Sequence, residues 1–330
     1  MAALAQPLPW IGEHSALDPS GTASKHVASL WWAMFWTSLV VYVIVMIALG
    51  YAAFRRRTNA PADATSSERL TPAPRSVHLT VGIATGVTVL ILFIVVVTDF
   101  FTARAIATPA TGAVHIKIIA RQWWWYAVYS GDTVPQQQLS VANEIHVPVG
   151  KPIVFTLTSR DVIHSFWVPN LNGKTDAVPG YESNAWFRAD TPGVYRGQCA
   201  EFCGLEHAKM AFTIVAESEE QYNKWYQAQL APAVPTTDSL RSQGERVFMT
   251  GTCSSCHAIR GTGAGGTLGP ELTHLASQRT IAAGTLQNTP DNLARWILDA
   301  QRIKPGAAMP SQELSSRDLN VLVAYLEGLR

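Results

Sequence analysis

Charge is scarce in this chain. Only 15% of its 330 residues are Asp, Glu, Lys or Arg, and 25 basic groups against 24 acidic ones leave a formal net charge of +1. No basic run stands out, so there is no bulk electrostatic case for nucleic acid as a partner. Cysteine is scarce too, at four residues. The motifs below use all of them, leaving none for structural disulfides. No basic segment precedes a short apolar core at the N-terminus, so no conventional cleaved signal peptide is expected. No internal repeat is apparent.

Apolar side chains, by contrast, make up 48% of the chain, and tryptophan occurs eleven times. Two runs account for much of this. Val27 to Phe54 contains no charged residue, and Leu79 to Thr98 is a second uncharged stretch of 20 residues. A membrane-crossing helix takes ~20 apolar residues, so spans are predicted at about 27–54 and 77–98. A buried core helix is the competing explanation, and the first run is too long for it. Trp31, Trp32 and Trp36 fit an interfacial aromatic belt. The segment between the runs carries Arg55, Arg56, Arg57, Arg69 and Arg75, whereas Lys25, beside Glu13 and Asp18, is alone before the first. The positive-inside rule then places the connection in the cytoplasm. Both termini, and everything after about residue 100, fall outside.

From Val114 to Ala216 the reading is mostly strand. His115–Ile119, Glu144–Val149 and Pro152–Thr158 alternate or run in β-branched residues, broken by Gly131, Gly150, Gly173, Gly180 and Gly193. That pattern predicts a sandwich or barrel. A helix is expected over Glu217–Leu230, and a Pro/Ala/Thr linker over 231–238. Beyond it, Leu240–Met249, Asp291–Gln301 and Arg317–Leu329 read as short helices, with Asp291 and Asp318 near helix starts. The predicted organisation is an N-terminal segment with a two-helix transmembrane hairpin (1–105), an all-β domain (106–230), the linker, and a small all-α domain (239–330).

Two motifs carry chemistry. Cys199-Ala-Glu-Phe-Cys-Gly-Leu-Glu-His-Ala-Lys-Met210 holds two thiols, an imidazole and a thioether. Soft donors of this kind favour copper over magnesium or calcium. One copper ion needs one thiolate, so two thiols four residues apart point to a binuclear centre. A disulfide or a structural zinc site competes, but neither uses Met210 or explains Glu201. One more strong ligand is needed from elsewhere. His164 is the best candidate, although a histidine at a strand end is often only a satisfied polar residue; His115 and His146, inside strands, are weaker. The second motif, Cys253-Ser-Ser-Cys256-His257, is the attachment signature of c-type haem. A redox dithiol or half a zinc site is the competing reading. The last methionine, Met309, is the expected sixth iron ligand, with His274 as its rival.

Asp161-Val-Ile-His-Ser-Phe, Lys174-Thr-Asp-Ala-Val-Pro-Gly180, Gly193 through Met210, and Gln122-Trp-Trp-Trp-Tyr126 together resemble subunit II of haem–copper cytochrome c oxidases. The fused haem domain is similar to the caa-type branch, and the resemblance runs from the first span to the C-terminus. It implies a cupredoxin-like β domain holding binuclear CuA on His164, Cys199, Glu201 through its backbone carbonyl, Cys203, His207 and Met210. The Glu201 side chain would reach a magnesium or manganese ion at the border with subunit I. Cys253, Cys256, His257 and Met309 would hold covalent haem c, and Trp123 would match the family's electron-entry tryptophan, or else be a packing residue like Trp124 and Trp125.

The implied partners are oxidase subunit I and the other oxidase subunits, a cytochrome c or a cytochrome-bearing reductase complex as donor, and the lipid of a bacterial plasma membrane. The chain departs from the family in three places, one being the lack of a proline in the middle of the second span. His78 stands where a glutamate often feeds proton uptake, and either substitutes for it or is an interfacial histidine without that role. Ala120 stands where a glycine commonly precedes the aromatic segment. A CuA subunit of a nitric oxide reductase is the nearest rival. A copper-binding assembly protein is a further one, though it has no use for the haem signature.

Overall fold

The computed structural model of the protein describes residues 14–59, 75–107, 111–129 and 139–330. Glu13, Arg69 and Gly131, named above, lie outside them, as do the side chains of Arg56 and Arg57. Two long helices come first, α1 (Thr22–Asn59) and α2 (Arg75–Ile106), and both are long and apolar enough to cross a membrane. Each outruns its predicted span, because flanking residues such as Ala23, Lys25 and Arg104 propagate a helix as readily as apolar ones. The hydroxyls of Thr37, Thr80, Thr88 and Thr98 bond back to carbonyls one turn earlier. That satisfies them within the helix, as a medium without water requires.

Residues 14–24, which include the first three residues of α1, group with the chain beyond residue 108 rather than with the rest of the two helices. The Ser15 amide donates to Asn170 Oδ1, and Asn170 Nδ2 donates to the Asp18 carbonyl. Gly21 bridges to Ala189, and a Cβ there would stand 2.6 Å from the Leu171 carbonyl oxygen, so only glycine fits.

The middle of the chain forms ten strands: β1 (Val114–Arg121), β2 (Trp124–Tyr129), β3 (Leu139–Ala142), β4 (Glu144–Pro148), β5 (Ile153–Ser159), β6 (His164–Trp167), β7 (Thr175–Ala177), β8 (Ser183–Phe187), β9 (Gly193–Cys199) and β10 (Ala211–Glu217). One sheet runs β3-β2-β1-β5-β8 and the other β4-β10-β9-β6-β7. Along β1 and β5 alternate residues point inward, burying Ile116, Ile118 and Ala120 against Ile153, Phe155 and Leu157. The β1–β5 and β4–β10 pairs are parallel, so no tight turn joins them, and the chain must change sheets in between. It does so at Asn143, whose φ of 62° an asparagine tolerates. The Asn143 side chain accepts from the Trp125 amide and pins the crossing.

Between the sheets Phe166 stacks on Phe212 at 4.3 Å, with Trp125 edge-on to both. Burying a ring such as Phe212 contributes ~1.5–3 kcal/mol. It fits only because residue 197 on β9 is glycine: a Cβ there would collide with the Phe212 ring.

Beyond the sandwich, α3 (Glu219–Leu230) starts two residues later than predicted, because Ser218 and Gln221 form a capping box. The predicted linker is not a free tether. The Ala233 amide donates to the Arg260 carbonyl, and Ala233 is buried in the C-terminal core. That domain contains α4 (Ser239–Thr250), α5 (Cys253–Cys256), a short β11–β12 pair (Thr280–Ile281 and Leu286–Gln287), α6 (Pro290–Leu298), α7 (Ala300–Ile303) and α8 (Ser316–Leu326). The helix predicted over 291–301 is thus two. Asp299 ends α6, and its carboxylate accepts the Arg302 amide to cap α7. Gly244 lets α4 lie directly on the Val321 backbone of α8.

Candidate functional site

The sandwich delivers donors from three places. His164 opens β6, Cys199 closes β9, and Cys203, His207 and Met210 follow on the loop into β10. The two sulfurs stand 3.7 Å apart as free cysteines, which rules out a disulfide in this geometry. His164 Nδ1 lies 3.8 Å from Cys199 Sγ, and His207 Nδ1 3.6 Å from Cys203 Sγ. Met210 Sδ is 3.8 Å from Cys203 Sγ, and the Glu201 carbonyl oxygen 3.2 Å from Cys199 Sγ. His164, Cys199 and Cys203 form a compact buried triangle of ligand atoms. Each thiol therefore has its own imidazole. A thioether and a carbonyl complete a donor set suited to soft metal ions.

The loop is held by a second ring of contacts. The Cys199 amide donates to the Met210 carbonyl, and the Ala200 amide to the Ser165 carbonyl. Asp161 Oδ1 sits 2.8 Å from His164 Nε2, while its other oxygen takes the Gln122 amide at 2.7 Å. A carboxylate behind a histidine fixes which ring nitrogen faces a metal. Gln122 Nε2 and Trp123 Nε1 both donate to the Cys203 carbonyl, at 2.7 and 3.0 Å. Among the three tryptophans, Trp123 is buried against this loop, Trp125 lies in the core and Trp124 is half-buried. Asp161 and Gln122 were not singled out in the sequence; the carboxylate three residues before His164 was the available signal.

The thiols are coupled. The contact with Cys203 is the largest influence on Cys199 and draws its pKa down; the same contact and burial push Cys203 up. Asp161 is held below the usual carboxylate range: burial opposes this, but hydrogen bonds from His164, Gln122 and Val162 outweigh it. Glu201 is exposed, and Phe202 and Leu205 turn outward at 77% and 70% exposure.

The second constellation is local. Cys253 and Cys256 share one helical turn, and His257 follows in extended backbone. His257 Nδ1 donates to the Pro270 carbonyl at 2.7 Å, which orients the ring and leaves Nε2 for a ligand. A Cβ at Gly269 would stand 2.5 Å from His257 Cε1, so the ring rests on a bare glycine. Met309 packs at the edge of the domain core, and the Gln301 side chain donates to the Ala307 and Met309 carbonyls to hold its loop. His274 points elsewhere, with Nε2 against the Ala231 carbonyl. Free thiols, an oriented imidazole and a glycine cradle fit a haem. His146 and His115 lie in strands away from both clusters, and His78 is on the first turn of α2.

A sandwich with a soft-donor loop, followed by a haem-type domain in a chain with two membrane-length helices, defines a membrane-bound electron carrier. Residues 130–218 match the model of the cytochrome c oxidase subunit II periplasmic domain, and residues 242–330 match that of cytochrome c. Cytochrome c oxidase subunit 2 of Alkalihalophilus pseudofirmus is 34% identical, over 97% of this chain and 92% of its own. Its counterpart from Cereibacter sphaeroides is 40% identical over 38% of this chain and 41% of its own. The crystal structure of the periplasmic domain of subunit II of cytochrome oxidase from Bradyrhizobium japonicum aligns at 30% identity, covering 37% of this chain and 96% of that one, with a TM-score of 0.35. The chain belongs to the cytochrome c oxidase subunit II family and carries a cytochrome c domain. It is an integral membrane protein and a subunit of a haem–copper oxidase complex, with the other oxidase subunits as its partners.

Proposed function

We propose that this chain is the electron-entry subunit of a terminal oxidase in a bacterial plasma membrane, with both termini and both redox domains on the outer face. Cys253 and Cys256 would bond haem c covalently, and His257 and Met309 would hold its iron. His164, Cys199, Cys203, His207, Met210 and the Glu201 carbonyl would hold binuclear CuA. The exposed Glu201 carboxylate would reach a magnesium or manganese ion at the border with subunit I. One observation carries this reading: two sulfurs 3.7 Å apart, each with its own imidazole nitrogen at 3.8 or 3.6 Å.

When bound, haem and copper supply the one-electron carriers between a cytochrome c, or a cytochrome-bearing reductase complex, and the haem of subunit I, where oxygen is reduced to water with proton pumping. The chain's own residues bind, orient and insulate. His164, Cys199, Cys203 and Met210 are buried, which keeps water from the donors. Asp161 and Pro270 orient His164 and His257, two of the three imidazoles that would hold the metals. Trp123, whose indole donates to the Cys203 carbonyl, would be the electron-entry residue. A linked donor domain also acts at an effective concentration on the order of mM, so transfer need not await an encounter.

Spectra of the purified chain test this. A mixed-valence two-copper signal and a low-spin haem are expected, and absence of both would sink the reading. Met210→Leu should perturb the copper signal alone and Met309→Leu the haem alone. Unchanged haem ligation in Met309→Leu would overturn that assignment.

A further inference from the structure

Lys304 is a lysine with almost no exposure, at 3%, on the C-terminal domain just past α7. Its Nζ donates to three carbonyls: Trp123 at 2.6 Å, Lys209 at 2.8 Å and Ala282 at 3.3 Å. An ammonium has three donors, so each is used. Two of the acceptors lie on the β domain. Trp123 is the residue whose indole holds the Cys203 carbonyl. Lys209 immediately precedes Met210. One side chain of the haem domain thus touches the backbone of the copper-type loop and of the β1–β2 turn that holds it.

The contact is reciprocated. Lys209 Nζ donates to the Ile303 carbonyl at 2.7 Å and pairs with Glu206 at 3.0 Å. The Ala211 amide donates to the Ala283 carbonyl at 3.1 Å. Lys304 also begins the loop that ends at Met309, and within that loop a Cβ on Gly306 would come 3.4 Å from the Trp123 ring. The segment bearing one proposed iron-holding residue is therefore bolted to the segment bearing the proposed copper ligands. An apolar side chain of the same length would leave the Trp123 carbonyl without a donor and the Lys209 and Ala282 carbonyls with only the Thr285 hydroxyl, which is costly. Burial pulls the Lys304 pKa down to about 7, against the pull of Glu206, and even a neutral amine keeps two donors for the two shorter bonds.

We propose that Lys304 is a positioning residue for electron transfer between the two domains: it latches the Met309 loop onto the Trp123 turn and the Cys203–Met210 loop, and so fixes the separation of the two redox centres. This rests on the function proposed above. Tunnelling falls off exponentially with distance, so a domain held at one separation outperforms one that swings on a linker. Losing a charge-assisted hydrogen bond shifts a docked population by about tenfold or more.

The test uses the full chain in its oxidase complex, as wild type, Lys304→Met, Lys304→Gln and Lys209→Met. Two quantities are read: the haem-to-copper transfer rate after photoreduction of the haem, and amide hydrogen exchange across 207–213, which contains the Ala211 amide. Lys304→Met should slow transfer by about tenfold or more and speed that exchange, with both metal spectra unchanged. Lys209→Met, a half-exposed position, should do the same to a smaller extent. Unchanged transfer, or unchanged exchange, in Lys304→Met would overturn the latch. So would an altered copper spectrum with exchange unchanged, since Lys304 would then shape the ligand loop itself. If Lys304→Met does not assemble, Lys304→Gln and Lys209→Met carry the same readouts. A wild-type chain lacking the two metal spectra would sink the proposed function instead, and exchange would still report on the latch.

Discussion

The Cys199–Met210 loop and the Cys253–His257 turn each bring two thiols and an imidazole together, but different forces hold them. The first draws donors from β6, β9 and a loop, and polar partners stand behind it: Asp161 behind His164, Gln122 and Trp123 behind the Cys203 carbonyl. His164, Cys199, Cys203 and Met210 are almost wholly buried, and His207 half-buried. The second needs only one helical turn, a backbone carbonyl from Pro270 and the bare face of Gly269. Its cysteines are half-buried. A site assembled from distant strands depends on polar partners to aim each ligand, because the strands alone do not fix a ring's rotation. A site written into one turn depends on clearance for the group that enters it.

The largest expected effect breaks this contrast on the polar side. Asp161→Ala removes the carboxylate behind His164 and should lower copper affinity by ~10–100-fold, while the haem spectrum stays unchanged. Titration against a competing chelator checks it. Equal affinity in the variant would mean that the carboxylate only shapes the turn through the Gln122 and Val162 amides.

Much of this was readable beforehand, for identifiable reasons. The apolar runs, the alternating strands of β1 and β5 and the Cys253–His257 spacing are local patterns, and local patterns survive in a sequence. Family resemblance, not spacing, supplied the Glu201 carbonyl as a copper ligand. What stayed hidden is non-local. No residue spacing announces that Asp161 sits on His164, or that Lys304 reaches Trp123 across 181 positions. The linker illustrates the same limit. Its Pro/Ala/Thr composition reads as a free tether, but Ala233 is buried because Arg260, far along the chain, takes its amide and the carbonyls of Gln229 and Leu230.

A methyl group added to each region sharpens the comparison at moderate cost. Gly197→Ala drives a Cβ into the Phe212 ring, and Gly269→Ala drives one to 2.5 Å from His257 Cε1. Overpacking of this kind costs ~1–3 kcal/mol at either place. The consequences should differ. Gly197→Ala should lower the melting temperature of the β domain without touching the haem spectrum. Gly269→Ala must turn the His257 ring and should change that spectrum as well. Thermal unfolding followed separately by tryptophan emission and haem absorption distinguishes them, and a haem spectrum unmoved in Gly269→Ala would refute the clearance argument.

The smallest expected effect concerns a group away from both regions. His146 on β4 stacks on Trp225 at 4.1 Å, and its ring nitrogens face Glu217 at 2.8 Å and Glu144 at 3.4 Å. Two acceptors demand two N–H donors, which only the charged imidazole has. Burial opposes that charge, but the hydrogen bonds to Glu144 and Glu217 outweigh it and raise the pKa above its ordinary value of 6.5. A raised folded-state pKa contributes stability that is complete below the unfolded-state value and fades as pH rises through the folded one. The second oxygen of Glu144 also accepts the Arg279 amide of the haem domain at 3.0 Å, so the loss should reach the interface. Denaturant midpoints measured from pH ~6 upward should fall with pH in the wild type and fall less in His146→Gln. A slope of equal steepness in the variant would assign the pH sensitivity to another group, and would leave Glu144 holding Arg279 whatever the charge on His146.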